Sequence, residues 1–277
     1  MVDGRPVGVP GRPGGLRRRD VVGAGGAMLL ATCAGLPAAF AASTTVAAAV
    51  GGRPLGPADL LRLDLPDAYE FGTTIPLGIV VASPMTPADH VRQVAVFAQG
   101  NPFPEVATVH FTPANGQAVA STRIRLNQGT QEVTAVAELS DGRVLMARRA
   151  IEVAVSGCSA ESGADDISAM PMPEPRLKLP AEIRSGEVVE IRTMIAHWME
   201  TGLRRDAEGR PIPRRIINRM VCDLDGQEVF AADLTPAVAA NAYLTFPLLA
   251  RASGRLTFTW SEDGGGIYRA GQDLAVI

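Results

Sequence analysis

The sequence predicts an all-β protein made of two sandwich domains, and three observations carry that prediction. Apolar and polar residues alternate with a period of two through most of the chain, the pattern of strands buried on one face. Asp-Gly pairs at Asp141-Gly142, Asp225-Gly226 and Asp263-Gly264 each sit between two such runs, where a tight hairpin needs positive φ. The stretch Gly157–Pro175 interrupts the alternation once, with Gly, Ser and Ala followed by Pro171, Pro173 and Pro175. A length of 277 residues also favours two domains over one.

The elements follow in order. A short helical turn is expected over Pro57–Leu63, then strands over Ile75–Ala82, Val91–Ala98, Val106–Phe111 and Ala118–Leu126. Val133–Leu139 and Val144–Val155 flank the first Asp-Gly and close the first half. In the second half, strands are expected over Arg176–Leu179 and Glu187–Ala196, and over the hairpin pair Ile216–Leu224 and Glu228–Leu234. Ala242–Leu249, Arg255–Ser261 and Ile267–Ala270 complete it. Roughly seven short strands per half, with almost no helix, is the number of an immunoglobulin-like sandwich. The expected boundaries are 57–156 for the first domain, 157–174 for a flexible linker and 175–277 for the second.

The N-terminus has the layout of an export signal over residues 1–41. Arg17-Arg18-Arg19-Asp20 precedes a short Gly/Ala-rich apolar run that ends in Ala39-Phe40-Ala41, an A-x-A-like exit. Paired arginines indicate the twin-arginine route. The run is too short and small-residued for a stable membrane anchor. Residues 42–56, rich in Ala, Gly and Pro, are expected to be disordered. Residues 1–41 carry five Arg and two Asp, so their removal takes the formal net charge from −3 to −6. No long basic block remains, which argues against a nucleic-acid partner.

Chemistry-bearing residues are few. His90, His110 and His197 lie far apart and match no metal spacing, and neither a nucleophile elbow nor a phosphate loop occurs. No cofactor is implied. With Cys33 removed in the signal, Cys158 and Cys222 remain. Cys222 alternates with apolar neighbours as a buried strand residue does. Cys158 sits among residues with almost no side chain, in Val155-Ser156-Gly157-Cys158-Ser159-Ala160. Three readings are open for it: a displayed thiol, an incidental linker residue, or one end of a Cys158–Cys222 disulfide. As a displayed thiol it would have Ser156, Gly157, Ser159 and Ala160 as a flexible arm. No Lys, Arg or His lies near it in sequence, so strong activation to thiolate is not expected.

Longer stretches carry a family resemblance. The segment PRLKLPAEIRSGEVVEIRTMIAHWMETGLRRDAEGRPIPRRIINRMVCDLDGQEVFAADLTPAVAANAYLTFPLLA resembles the Z subunit of the bacterial sulfur-oxidation (Sox) carrier, Met199-Glu200-Thr201-Gly202 and Pro213–Asn218 especially. The segment SPMTPADHVRQVAVFAQGNPFPEVATVHFTPANGQAVASTRIRLNQGTQEVTAVAELSDGRVLMA resembles the Y subunit. The resemblance runs from about Leu61 to Cys158 and from Pro175 to about Ala270, and implies a fusion with the Y-like half first.

What the resemblance implies is a periplasmic carrier and not an enzyme. In the family, sulfur intermediates ride on a cysteine in a Gly-Gly-Cys-Gly-Gly tail, and Cys158 occupies the matching place. This chain departs from that pattern, keeping one of the four glycines and placing the cysteine internally. The implied partners are a c-type cytochrome that conjugates the substrate, a hydrolase that releases sulfate and a sulfane dehydrogenase. The alternative is a non-covalent adaptor that works with a quinoprotein dehydrogenase.

Overall fold

The computed structural model describes residues 46–158 and 172–277, all within one compact unit. The first half forms β1 (Leu61–Asp64), β2 (Ala68–Phe71), β3 (Ile75–Val81), β4 (Val91–Ala98), β5 (Glu105–Phe111), β6 (Ala118–Ile124), β7 (Gly129–Leu139) and β8 (Val144–Val155). The second half forms β9 (Glu174–Lys178), β10 (Glu187–Ala196), β11 (Ile217–Leu224), β12 (Gln227–Leu234), β13 (Tyr243–Ala250), β14 (Gly254–Glu262) and β15 (Ile267–Leu274). The Asp-Gly expectation holds in the backbone: Gly142 has φ 86°, Asp225 and Gly226 have φ 52° and 82°, and Gly264 has φ 83°.

Each half is a sandwich, but the two are not separate. One sheet has the order β1-β3-β6-β13-β10-β9, the other β15-β14-β11-β12-β5-β4-β7-β8-β2, and each contains strands from both halves. The edge strands β5 and β12 pair antiparallel over five positions, from Phe230↔Phe111 to Leu234↔Ala107. In the opposite layer β6 and β13 pair at Leu244↔Thr122 and Thr245↔Ser121. An open edge leaves backbone N–H and C=O groups unpaired, and here each half closes the other's edge.

One core follows from two continuous sheets. Phe230 stacks on Phe246 with ring centroids 4.0 Å apart, and Phe111 meets Phe230 edge-on at 5.6 Å across the seam. A polar pair crosses the same seam on the outer face, where His110 Nε2 lies 2.7 Å from Asp233 Oδ2.

Three sequence expectations change here. β1 begins within the Pro57–Leu63 stretch, and only Ala58–Leu60 is helical. β2, a short parallel partner of β8, had no alternating signal because it is mostly exposed on both faces. The disorder expected over 42–56 does not extend to residues 46–50, which are helical. Val46 packs with Phe97, Val136 and Val144 there, covering the outer face of the larger sheet. The export signal over 1–41 and most of the linker, 159–171, lie outside the described residues.

Candidate functional site

β8 delivers the chain to Cys158 through a close backbone crossing. Gly72 N–H donates to Val155 O at 2.8 Å, Leu126 N–H donates to Gly72 O at 2.8 Å, and Gly157 N–H donates to Leu126 O at 2.8 Å. The crossing has no space for a side chain. A Cβ on Gly157 would lie 1.8 Å from Gly72 O, and one on Gly72 would lie 2.2 Å from Leu126 O. Ser156 Oγ donates to Asn127 Oδ1 at 3.0 Å. Ser156 and Gly157 therefore anchor the segment, which corrects their reading as parts of a flexible arm. Small side chains at these positions permit tight packing as well as freedom, and sequence alone does not distinguish the two. Ser159 and Ala160 lie outside the described residues.

Cys158 is 6% exposed, where the small neighbours had suggested an unpacked thiol. Residues remote in sequence close around it: Asn101, Pro102 and Phe103 from the loop after β4, and Thr201, Leu203, Pro236 and Ala237 from the second half. The hollow they form has no space for a water molecule. Thr201 Oγ1 donates to the Cys158 carbonyl at a long 3.5 Å while accepting from Leu203 N–H at 3.2 Å. Burial pushes the thiol up to about 11, against the pull of the Arg125 guanidinium. At pH 7 the seated sulfur is thus held as the neutral thiol.

Arg125 is the residue that sequence reading missed. It follows β6, is 2% exposed, and belongs to the first half. Its guanidinium donates to Met199 O at 2.6 Å, Trp198 O at 3.0 Å and Pro236 O at 3.4 Å, all in the second half. Burial lowers its pKa to about 10, with Cys158 and Glu200 acting in the opposite sense. An Arg at the end of a strand pattern gave no signal, because the Met199 and Trp198 carbonyls it donates to lie more than 70 residues away.

The loop after β10 is braced to hold Thr201 in place. His197 Nδ1 accepts the Met199 N–H at 2.9 Å, so Nε2 carries the ring proton and donates to Glu262 Oε1 at 2.9 Å. Burial lowers the His197 pKa despite the carboxylate beside it. Burial alone would raise Glu262, but hydrogen bonds from Arg215, His197 and Tyr268 hold it below the ordinary range. Arg215 Nε and Tyr268 OH reach Glu262 at 2.6 and 2.9 Å. Glu200 accepts from Arg204 at 2.6 Å and from Gly202 N–H at 3.2 Å, with both members of the Glu200–Arg204 pair buried. Met199, at φ 53°, turns the chain between these two groups.

The disulfide reading is not met, since both cysteines are free. Cys222 is fully buried in β11 opposite Phe230 and Phe258, and burial pushes its pKa far up. Among the described residues no group of three or more His, Cys, Asp and Glu could hold a metal ion, and no helix is long and apolar enough to cross a membrane.

Comparison with known proteins places the chain in a family. The model of sulfur oxidation protein SoxY matches residues 46–158, ending on Cys158, and that of sulphur oxidation protein SoxZ matches residues 177–272. Among solved structures, the sulfur carrier protein SoxY from Chlorobium limicola f thiosulfatophilum is 22% identical, covering 40% of this chain and 94% of its own, with a TM-score of 0.34. A superoxide reductase (neelaredoxin) from Ignicoccus hospitalis is 17% identical, covering 34% and 79%, with a TM-score of 0.31. Fibronectin(III)-like modules of Clostridium thermocellum CbhA are 17% identical, covering 78% and 93%, at 0.26. Likenesses this distant add nothing to the family matches. A search of curated proteins returned no match. The two-sheet fold and the two family matches define a β-sandwich protein of sulfur oxidation, of the carrier class. More particularly, the chain belongs to the SoxY and SoxZ families, fused in that order in one polypeptide.

Proposed function

We propose that the protein is a periplasmic carrier that holds sulfur intermediates covalently on Cys158 and presents them to partner enzymes. The observation that carries this reading is the position of Cys158. It is the last residue of the SoxY-matched segment, and it sits where both halves meet at the end of β8. Export by the twin-arginine route, with cleavage near Ala41, would deliver the folded carrier to the periplasm.

The chemistry begins with an oxidative conjugation. Cys158–SH and thiosulfate form Cys158–S–S–SO₃⁻, one S–S bond, releasing one proton and two electrons to a partner c-type cytochrome. Water then cleaves the S–SO₃ bond at a partner hydrolase, giving sulfate, a proton and the persulfide Cys158–S–SH. A sulfane dehydrogenase takes six electrons from that sulfur, with oxygen from three waters whose protons leave with that of the persulfide, seven in all, and leaves Cys158–S–SO₃⁻. A second hydrolysis returns the thiol and releases sulfate and a proton. The carrier supplies the sulfur anchor, and the partners supply the redox and hydrolytic groups.

Intact-mass measurement of the protein purified from thiosulfate-grown source cells tests the reading. Adducts of sulfane or sulfonate mass are expected on the peptide containing Cys158, and Cys158→Ala is expected to abolish thiosulfate-dependent electron transfer to the cytochrome. A thiol that stays unmodified, with full activity in Cys158→Ala, would refute it. The burial of Cys158 favours one second reading, a non-covalent adaptor for a quinoprotein dehydrogenase. That reading requires partner binding and activity to survive Cys158→Ala.

A further inference from the structure

The seat around Cys158 is made by both halves and fits a bare sulfur atom. Phe103 closes it from the first half, and Thr201, Leu203 and Ala237 close it from the second. The space beside the sulfur is too small for even one water, whose share of liquid volume is about 30 Å³. A thiosulfate-derived group adds five heavy atoms and a negative charge. The lining itself adds little to hold it, because Phe103, Leu203, Pro236 and Ala237 are apolar and the Asn101 amide and Thr201 hydroxyl are engaged with backbone. The charge of Arg125 favours an anion at Cys158 but supplies no room for one, and its guanidinium also donates to the carbonyls of Met199, Trp198 and Pro236.

We propose that the seat admits only the unmodified thiol, so that loading Cys158 with an anionic sulfur group expels it and unloading lets it return. This rests on the carrier reading and adds a regulatory property to the same site. The empty carrier hides its sulfur from oxidants and metals, and the loaded carrier displays its cargo continuously. A conjugating partner must capture the thiol when it is transiently unseated. Partners that process the cargo meet it already exposed, and they can tell loaded from empty carrier by the vacated seat.

The test needs no partner enzyme. Long incubation of the native protein with 2-sulfonatoethyl methanethiosulfonate exchanges methanesulfinate for a Cys158–S–S–CH₂CH₂–SO₃⁻ disulfide. Methyl methanethiosulfonate gives the small neutral Cys158–S–S–CH₃ in the same way. Peptide mapping confirms that Cys158 alone is labelled. Amide hydrogen exchange is then followed at Ser156–Cys158 and Thr201–Leu203. With the sulfonate adduct, exchange there is expected to speed up roughly tenfold or more, while the seam strands β5 and β12 stay protected.

Unchanged exchange in the sulfonate-labelled protein overturns the proposal, as does a disulfide as inaccessible to added thiol as the sulfur was to the reagent. Leu203→Ala supplies a second measurement. Leu203 is 38% exposed, so its truncation is tolerated and frees space beside the sulfur. The methyl adduct is expected to open the native seat and to be retained in Leu203→Ala, with slow exchange restored. Failure of either effect counts against a seat that selects by volume. Because no cellular cargo is involved, a failed result here leaves the mass-spectrometric test of the carrier reading intact, and the converse also holds.

Discussion

Gly157 and Gly72 fix the path of the chain immediately before Cys158. Their backbones cross so closely that a methyl group on Gly157 would overlap the Gly72 carbonyl, and backbone on both sides leaves no cheap escape. Gly157→Ala is expected to destabilise the protein by about 3 kcal/mol, the upper range for overpacking. It should also loosen the Cys158 seat, and the pH dependence of alkylation reports that separately. In the native protein the thiol titrates near 11, because burial favours the neutral form. An unfolded cysteine ionises near 8.5. The folded pKa is the higher one, so this group's contribution to stability is fully present below the unfolded value and is lost as pH rises through the folded one. Iodoacetamide labelling of Cys158 is expected to titrate near 11 in the native protein and closer to the unfolded value in Gly157→Ala. Identical profiles would show that the crossing does not hold the seat. The sequence located this thiol at the end of a strand among small residues, yet the same glycine that suggested a joint proved to be a contact. Nothing in the sequence reported Arg125, Phe103 or Leu203 as its neighbours, because the first two reach it by long-range packing within the first half and Leu203 reaches it across the seam.

The loop from His197 to Arg204 shows how an irregular element is kept rigid. Beyond the Glu200–Arg215 bridge and the Ile212 N–H to Arg204 O bond it has no strand pairing, so side chains satisfy other backbone groups: the His197 ring takes the Met199 N–H, Glu200 takes the Gly202 N–H and Thr201 takes the Leu203 N–H. The resemblance to the Z subunit marked Met199–Gly202 as distinctive, and the structure shows why those residues form a unit. It did not reveal that Glu262 and Arg215 brace them from other strands. This arrangement is acid-sensitive. The His197 pKa is depressed by burial, so below the unfolded value near 6.5 the unfolded chain takes up a proton that the folded one refuses. Glu262 is held low by its donors, so its contribution is present above the unfolded carboxylate value and is lost as pH falls through the folded one. Both effects act in one direction, and stability is expected to fall on acidification from about pH 6.5. Urea midpoints measured from pH 7.5 to 4 test this, and His197→Gln should flatten the upper part of the decline. Glu262→Ala leaves Arg215 and His197 without their shared acceptor and is expected to cost about 3–5 kcal/mol. It should also raise Cys158 labelling by freeing Thr201.

Across the whole molecule, period-two alternation and Asp-Gly turns made most strands legible, since both are local properties of the chain. Their assembly was not legible. A sandwich edge and a paired seam strand have the same alternation, so two independent domains and one continuous pair of sheets predict the same pattern. The seam is expected to make the halves one folding unit. Phe111 of the first half packs on Phe230 of the second, which in turn stacks on Phe246. Removing the Phe111 ring opens a cavity on that stack and is expected to cost about 3–5 kcal/mol. Both tryptophans, Trp198 and Trp260, lie in the second half, so their fluorescence reports that half alone. If the halves are coupled, Phe111→Ala lowers the tryptophan-detected urea midpoint by the same amount as the midpoint from far-ultraviolet circular dichroism, in a single transition. If they fold independently, the tryptophan signal stays at its native midpoint while circular dichroism splits into two steps. Coupling matters for the carrier, because Cys158 is tethered to the first half while Thr201 and Leu203 belong to the second. Any slackening of the seam then changes how firmly the thiol is seated, and Phe111→Ala, although remote from the sulfur in sequence, is expected to raise its labelling rate under conditions where the protein remains folded.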